Sequence, residues 1–209
     1  VITPSGVSEI CAGTNITLDA GTGYATYAWN TNQNGQSINV NSAGDYNVTV
    51  TTFQGCVGSS ADVTVVVNPL PIVNLGPDTV ICTGTVLNLD AGNPGATYSW
   101  STFEVSQSIN VTTTGSYTVS VTDGNGCVGT DNATVTVSNL LDPVIVATGP
   151  IIFCTGQSVT LDAGAGFDNY LWSTGQITQT ITVSDPGVVE VIVSDQFGCS
   201  GTDDEVIST

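Results

Sequence analysis

Six cysteines are the residues of this chain whose type and spacing point most directly to covalent chemistry: Cys11, Cys56, Cys82, Cys127, Cys154 and Cys199. They form three pairs whose members stand 45 positions apart, and the first cysteines recur after 71 and then 72 residues. A thiol can serve as a nucleophile, a metal ligand or half of a disulfide. The chain holds no His, Lys or Arg, so there is no Ser-His-Asp or Cys-His system and no Schiff-base lysine. A glycosidase-type carboxylate pair is chemically open, but Glu9, Glu104, Glu190 and Glu205 occupy unrelated places within the repeat. Without His or a C-x-x-C pair, the cysteines do not read as a metal site. No enzyme is expected. Disulfides remain, and they imply an oxidising, extracellular setting.

Equal spacing favours pairing within each repeat, which would close a 45-residue loop worth about 4 kcal/mol by loop entropy. Geometry objects. In a plain sandwich the first cysteine precedes the second strand at one end, and the second cysteine opens the last strand at the other. Bridging requires Cα atoms within about 7 Å. Either the first strand bends to bring Cys11 alongside Cys56, or neighbouring repeats are stapled as Cys11–Cys127 and Cys82–Cys199.

The elements that must position these thiols are written three times. "CAGTNITLDAGTGYATYAW" (Cys11–Trp29) returns as "CTGTVLNLDAGNPGATYSW" (Cys82–Trp100) and "CTGQSVTLDAGAGFDNYLW" (Cys154–Trp172). Such self-similarity divides the chain into three modules, 1–70, 71–142 and 143–209. Within each, apolar and polar residues alternate with period two between Gly, Asn and Asp punctuation, the pattern of antiparallel strands. "SINV", "SINV" and "TITV" follow at Ser37, Ser108 and Thr180, and further strands start at Gly44, Gly115 and Gly187. No 3.6-residue apolar stripe appears. The expected fold is all-β: three tandem immunoglobulin-like sandwiches forming an elongated rod, joined by short Pro-containing linkers at Asn68–Pro71 and Leu140–Pro143. Trp29, Trp100 and Trp172 belong to the core. Tyr46 and Tyr117 take the tyrosine-corner position, which Val189 breaks in the third module.

Modules of about 70 residues bury only roughly 60 % of their unfolded surface and are marginal without help. Eighteen acidic residues with no basic ones give a formal charge of −18. That excludes nucleic acid and anionic membranes as electrostatic partners, and trypsin has no cleavage site. With 40 % hydrophobic residues the chain reads as folded, not disordered. No signal peptide opens it and no 18-residue apolar run crosses a membrane. The third module stops where its last strand should still be running, which suggests a segment of a longer array.

Asp19, Asp90 and Asp162 recur in "LDAG". Their simplest role is to cap the turn after the strand; the sharper one is Ca²⁺ ligation, with Asp203, Asp204 and Asp168–Asn169 as further candidates. Divalent cations would also relieve the self-repulsion of so acidic a body. "DGNGC" at Asp123–Cys127 is a Gly-rich hairpin turn before it is a calcium loop. The less regular aromatics Tyr24, Phe103, Phe153, Phe167 and Phe197 are where a glycan would be sought. Sequons at Asn15, Asn47, Asn110 and Asn132 are ascribed to a composition rich in Asn and Thr.

The string C-x-G-x-x-x-x-L-D-A-G, then Y-x-W, S-I-x-V, G-x-Y-x-V-x-V and G-C resembles the Ig-like or PKD-like repeats of giant secreted surface proteins of Bacteroidota. Gliding-motility adhesins exported by type IX secretion are among these. The resemblance covers nearly the whole chain. It implies an extracellular, cell-surface, adhesive or filamentous role, whose partners are other copies or repeats of the same protein, surface polymers or glycans. It also marks Thr79, in Asp78-Thr79-Val80, as an O-glycosylation acceptor. The other expected roles are a carbohydrate-binding array on a polysaccharide-degrading protein and a self-assembling filament subunit.

Overall fold

Alternating β-branched and polar residues suit a pleated surface with one buried face, and among the described residues they form twenty strands. The structure, a computed structural model, describes residues 1–152 and 154–208, and no helix occurs among them. The first repeat carries β1 (Val7–Cys11), β2 (Ile16–Asp19), β3 (Thr26–Trp29), β4 (Ser37–Val40), β5 (Gly44–Tyr46), β6 (Val48–Thr51), β7 (Val57–Ser59) and β8 (Val63–Asn68). The second carries β9 (Thr79–Cys82), β10 (Leu87–Asp90), β11 (Thr97–Trp100), β12 (Ser108–Val111), β13 (Gly115–Thr122) and β14 (Val128–Ser138). The third carries β15 (Val146–Thr148), β16 (Val159–Asp162), β17 (Asn169–Trp172), β18 (Thr180–Val183), β19 (Gly187–Ser194) and β20 (Ser200–Ile207).

By contact density the chain forms two compact units whose boundary runs through the second repeat. One comprises Val1–Leu75, Asp90–Ile109 and Thr118–Asn132; the other comprises Gly76–Leu89, Asn110–Tyr117 and Ala133–Thr209.

In the first unit, β2 pairs with β4, while β1, β8 and β5 form one sheet and β3, β6 and β7 another. β1 runs parallel to β8, from Val7↔Thr64 to Cys11↔Asn68. Leu18, Trp29, Ile38, Val40, Tyr46, Val48, Val63 and Val65 fill the space between the layers, with Ile2 and Ile10 beside them. β11 of the second repeat pairs antiparallel with β13, Tyr98↔Val121 and Trp100↔Val119. In the second unit the sheets are β15–β16–β18 and β17–β19–β20, closed over Leu161, Trp172, Ile181, Val191 and Val193. There too an early strand lies parallel to a last one: β9 beside β14, Val135↔Thr79 to Ser138↔Cys82.

Burying an indole strands its N–H unless an acceptor is near. All three tryptophans solve this alike. Nε1 of Trp29, Trp100 and Trp172 donates to the carbonyl six residues on, of Gly35, Ser106 and Thr178, at 2.9, 2.8 and 2.8 Å. Tyr46 donates to the Ser42 carbonyl and Tyr117 to that of Thr113, each at 2.8 Å, the back-bond of a tyrosine corner. Val189 fills the third position as a buried side chain.

The strand expected to run unbroken from Gly44 is split at Asn47. Its side chain donates to Asp62 at 2.8 Å, while the Val48 N–H goes to the Ser60 hydroxyl at 3.1 Å. The Ser60 hydroxyl thus stands in for a backbone acceptor of the ladder. In the third repeat the same hairpin pairs without interruption from Gly187↔Ile207 to Ser194↔Ser200.

Candidate functional site: two offset disulfides

Each early parallel strand delivers its cysteine to the end of a last strand. Cys11 lies opposite Asn68, where the Ala12 N–H donates to the Asn68 carbonyl at 2.8 Å. Cys82 lies opposite Ser138, where the Thr83 N–H donates to the Ser138 carbonyl at 2.9 Å. Their partners sit in hairpin turns. Asp123 Oδ1 accepts from the N–H groups of Asn125 and Cys127, and Asp195 Oδ1 from those of Phe197 and Cys199, all at 2.9 Å. The glycine before each cysteine, Gly126 or Gly198, has φ of 82° or 85°, which a side chain resists. The turn therefore presents its cysteine in a fixed direction.

The bonds formed are Cys11–Cys127, with Cα atoms 5.5 Å apart, and Cys82–Cys199, at 5.4 Å. The first cysteine of one repeat binds the second of the next. The pairing within each repeat that equal spacing favoured is not made, and Cys56 and Cys154 carry exposed free thiols. Loop entropy does not choose between the schemes. Loops of 116 and 45 residues differ by only about 1 kcal/mol on that estimate. Strand geometry chooses, because it places the two cysteines of a repeat at different ends of their strands.

The linkers are gripped at the same junctions. An added Cβ on Gly129 would collide with the Pro71 carbonyl oxygen, and one on Gly201 with that of Leu141. Four residues on, Leu75 N–H donates to Asp131 Oδ2 at 2.8 Å and Ile145 N–H to Asp203 Oδ2 at 2.7 Å. In the second unit the Ser138 hydroxyl also donates to Asp195 Oδ2 at 2.8 Å. Partial burial pushes the Asp195 pKa up. The hydrogen bonds from Ser138 and from the Cys199, Phe197 and Gly198 backbone outweigh it and hold the carboxyl below its usual range.

Asp19, Asp90 and Asp162 each accept the N–H of the glycine two residues on, at 2.7, 2.8 and 2.9 Å. Each also takes an amide N–H from Gln36, Gln107 or Gln179. These glutamines escaped the sequence reading, although each stands 17 positions after its aspartate. The Gln107 amide, then the Gly92 N–H, lower the Asp90 pKa. Asp203 and Asp204 are consecutive on β20, so their side chains leave opposite faces. Asp168 accepts the Gln196 N–H at 2.8 Å. Among the described residues no three His, Cys, Asp or Glu side chains group as a metal site.

Thr79 is half-buried at the start of β9, its hydroxyl donating to the Pro77 carbonyl at 2.9 Å. Phe103 is 94 % exposed and Phe197 53 %. Tyr24 and Phe167 instead stack edge-on against Tyr27 and Tyr170. Phe153 lies outside the described residues.

No protein-family model matches the chain, and no curated protein sequence does. Solved structures do. The first eight Ig domains of Down Syndrome Cell Adhesion Molecule match over the whole chain, at 15 % identity and a TM-score of 0.50, and the chain spans 42 % of that structure. Extracellular domains 3–5 of Drosophila OTK match at 14 % identity and a TM-score of 0.41, over 98 % of this chain and 94 % of theirs. Immunoglobulin domains 1–4 of Sidekick-1 match at 11 % and 0.36, over 99 % and 74 %. The fold is all-β, built of tandem immunoglobulin-like β-sandwich modules.

Proposed function

We propose that this chain is a non-catalytic structural segment of an extracellular surface adhesin or filament, built of three modules, 1–70, 71–142 and 143–209. The offset disulfides carry the reading. A bond inside a module stabilises that module, whereas Cys11–Cys127 and Cys82–Cys199 reach from one repeat to the next and secure the linkers between them. Such bonds persist where the surroundings are oxidising. The lack of Lys, Arg and His supports the non-catalytic part, since it removes the common bases and nucleophile activators. The likeness in fold to a cell adhesion molecule's Ig array agrees with an adhesive role. The repeat motif keeps the Bacteroidota gliding-motility adhesins as the finer assignment.

Immunogold labelling of intact, unpermeabilised cells that make the protein tests this. Label on the outer surface or on shed fibres is expected, with no affinity in a polysaccharide titration. Label confined to the cell interior refutes the reading, and a saturable affinity that scales with repeat number replaces it with a carbohydrate-binding array.

A further inference from the structure

In each repeat a strand opens on a glycine, and the tyrosine-corner position follows two residues later: Gly44 and Tyr46, Gly115 and Tyr117, Gly187 and Val189. In the first two repeats the tyrosine ring lies back over its glycine. A Cβ added to Gly115 would touch Cε2, Cζ and the hydroxyl of Tyr117, and one added to Gly44 would touch Cε2 of Tyr46. The far end of each ring is anchored on the residue four positions earlier. Tyr46 donates to the Ser42 carbonyl and Tyr117 to that of Thr113, whose own hydroxyl lies 3.0 Å from the Tyr117 oxygen. Both rings are buried.

The third repeat keeps this frame and omits the ring. Asp185 stands where Ser42 and Thr113 stand. Val189 is buried among Val191, Val193 and Ile181, but its side chain ends at two methyl groups and carries no donor. Among the described residues nothing takes the place of the ring. A Cβ added to Gly187 would meet no atom within 4 Å. An open pocket of about 330 Å³ lies there, with Thr182, Ser184, Asp185, Pro186, Gly187 and Val189 in its lining. Pro186 fixes its own φ and so stiffens the turn that carries the pocket's polar end.

The walls narrow the choice of occupant. Val189 offers an apolar surface, against which a flat ring gains dispersion contacts that water does not supply. Asp185 brings a carbonyl and a carboxylate, both acceptors, so the bound group must donate. A chain of charge −18 repels an anion. The backbone of β19 already occupies the place of a tyrosine's main chain, so the pocket suits a ring that carries no backbone of its own.

We propose that the open corner of the third repeat binds a small neutral phenol, its ring over Gly187 and against Val189 and its hydroxyl donating to Asp185. A free ligand there completes the contact that Tyr46 and Tyr117 make from within their own repeats. All of these residues belong to the third repeat, and the site is independent of the proposed structural role.

The isotope-labelled full chain is titrated with p-cresol, which is the tyrosine side chain as a free molecule, and followed by amide NMR. Saturable shifts are expected at Asp185, Gly187 and Val189. The corners at Gly44 and Gly115 should not respond, because the protein's own rings cover them. Toluene lacks the donor and should bind roughly three- to tenfold more weakly, the share of one net hydrogen bond. Val189→Tyr fills the pocket from within and should abolish the p-cresol shifts. Four results overturn the inference: shifts that do not saturate, shifts of equal size at all three corners, toluene binding as tightly as p-cresol, or a folded Val189→Tyr that still binds. N-acetyltyrosinamide binding more tightly than p-cresol also overturns it, in favour of a tyrosine side chain from another protein. If Val189→Tyr does not fold, the comparison of p-cresol with toluene on the parent chain decides alone.

Discussion

Pulling the chain from its ends reads the disulfide map as a length. Between Cys11 and Cys199 lie 188 residues, and at 3.3–3.6 Å per extended residue a fully reduced chain reaches about 620–680 Å. The two bonds cut this sharply. The shortest covalent path crosses from Cys11 to Cys127, runs back through 45 residues to Cys82, and crosses to Cys199. Its limit is about 150–160 Å plus the two Cα spans of 5.5 and 5.4 Å. Pairing within repeats would leave the two linkers, 26 and 27 residues from cysteine to cysteine, or about 175–190 Å. Those values are close, so the deciding perturbation is Cys56→Ser. Offset pairing predicts no change in the force-spectroscopy contour length. Pairing within repeats would open the first loop, raise the path to 98 residues and lengthen it to about 320–350 Å. A lengthened Cys56→Ser trace refutes the reasoning from strand geometry.

Gly129→Ala should destabilise the protein by at least about 1–3 kcal/mol, since the new Cβ meets the Pro71 carbonyl, whereas Gly58→Ala meets nothing and should fall within about 0.5 kcal/mol of the parent; paired urea titrations check both. The depressed pKa of Asp195 contributes stability that is present above the unfolded carboxylate value of about 3.9 and is lost as the pH falls through the folded one. Asp195→Asn should therefore lower the Tm at pH 7, with the gap to the parent narrowing below about pH 4. A gap that stays constant from pH 7 to 2.5 in calorimetric scans would count against that ionised hydrogen-bond cluster.

Period-two alternation and the repeated turn glycines made the strands legible, because both report local backbone demands. The tyrosine corners were legible through the Gly-x-Tyr spacing. The disulfide map was only half legible. Equal spacing suggests closure within a repeat, and the offset becomes compelling only once β1 is seen parallel to β8, with Cys11 opposite Asn68. The Gln36, Gln107 and Gln179 partners of the "LDAG" aspartates were available as a constant 17-residue offset, but an amide on a neighbouring strand carries no signal by type. The Gly129 and Gly201 contacts were hidden for another reason. A glycine that makes room for a passing carbonyl looks, in sequence, like any glycine in a turn.

The two closed loops overlap between Cys82 and Cys127. As a result, every peptide bond from Cys11 to Cys199 lies inside at least one of them. A single backbone scission anywhere in that stretch, whether in a strand, a turn or either linker, leaves both fragments covalently joined. Three bonds made within repeats would leave the stretches from Cys56 to Cys82 and from Cys127 to Cys154 unspanned, and one cut there would part the chain. Two staggered bonds thus give the covalent chain a redundancy that three local ones could not, and they give it where the linkers would otherwise be its weakest links.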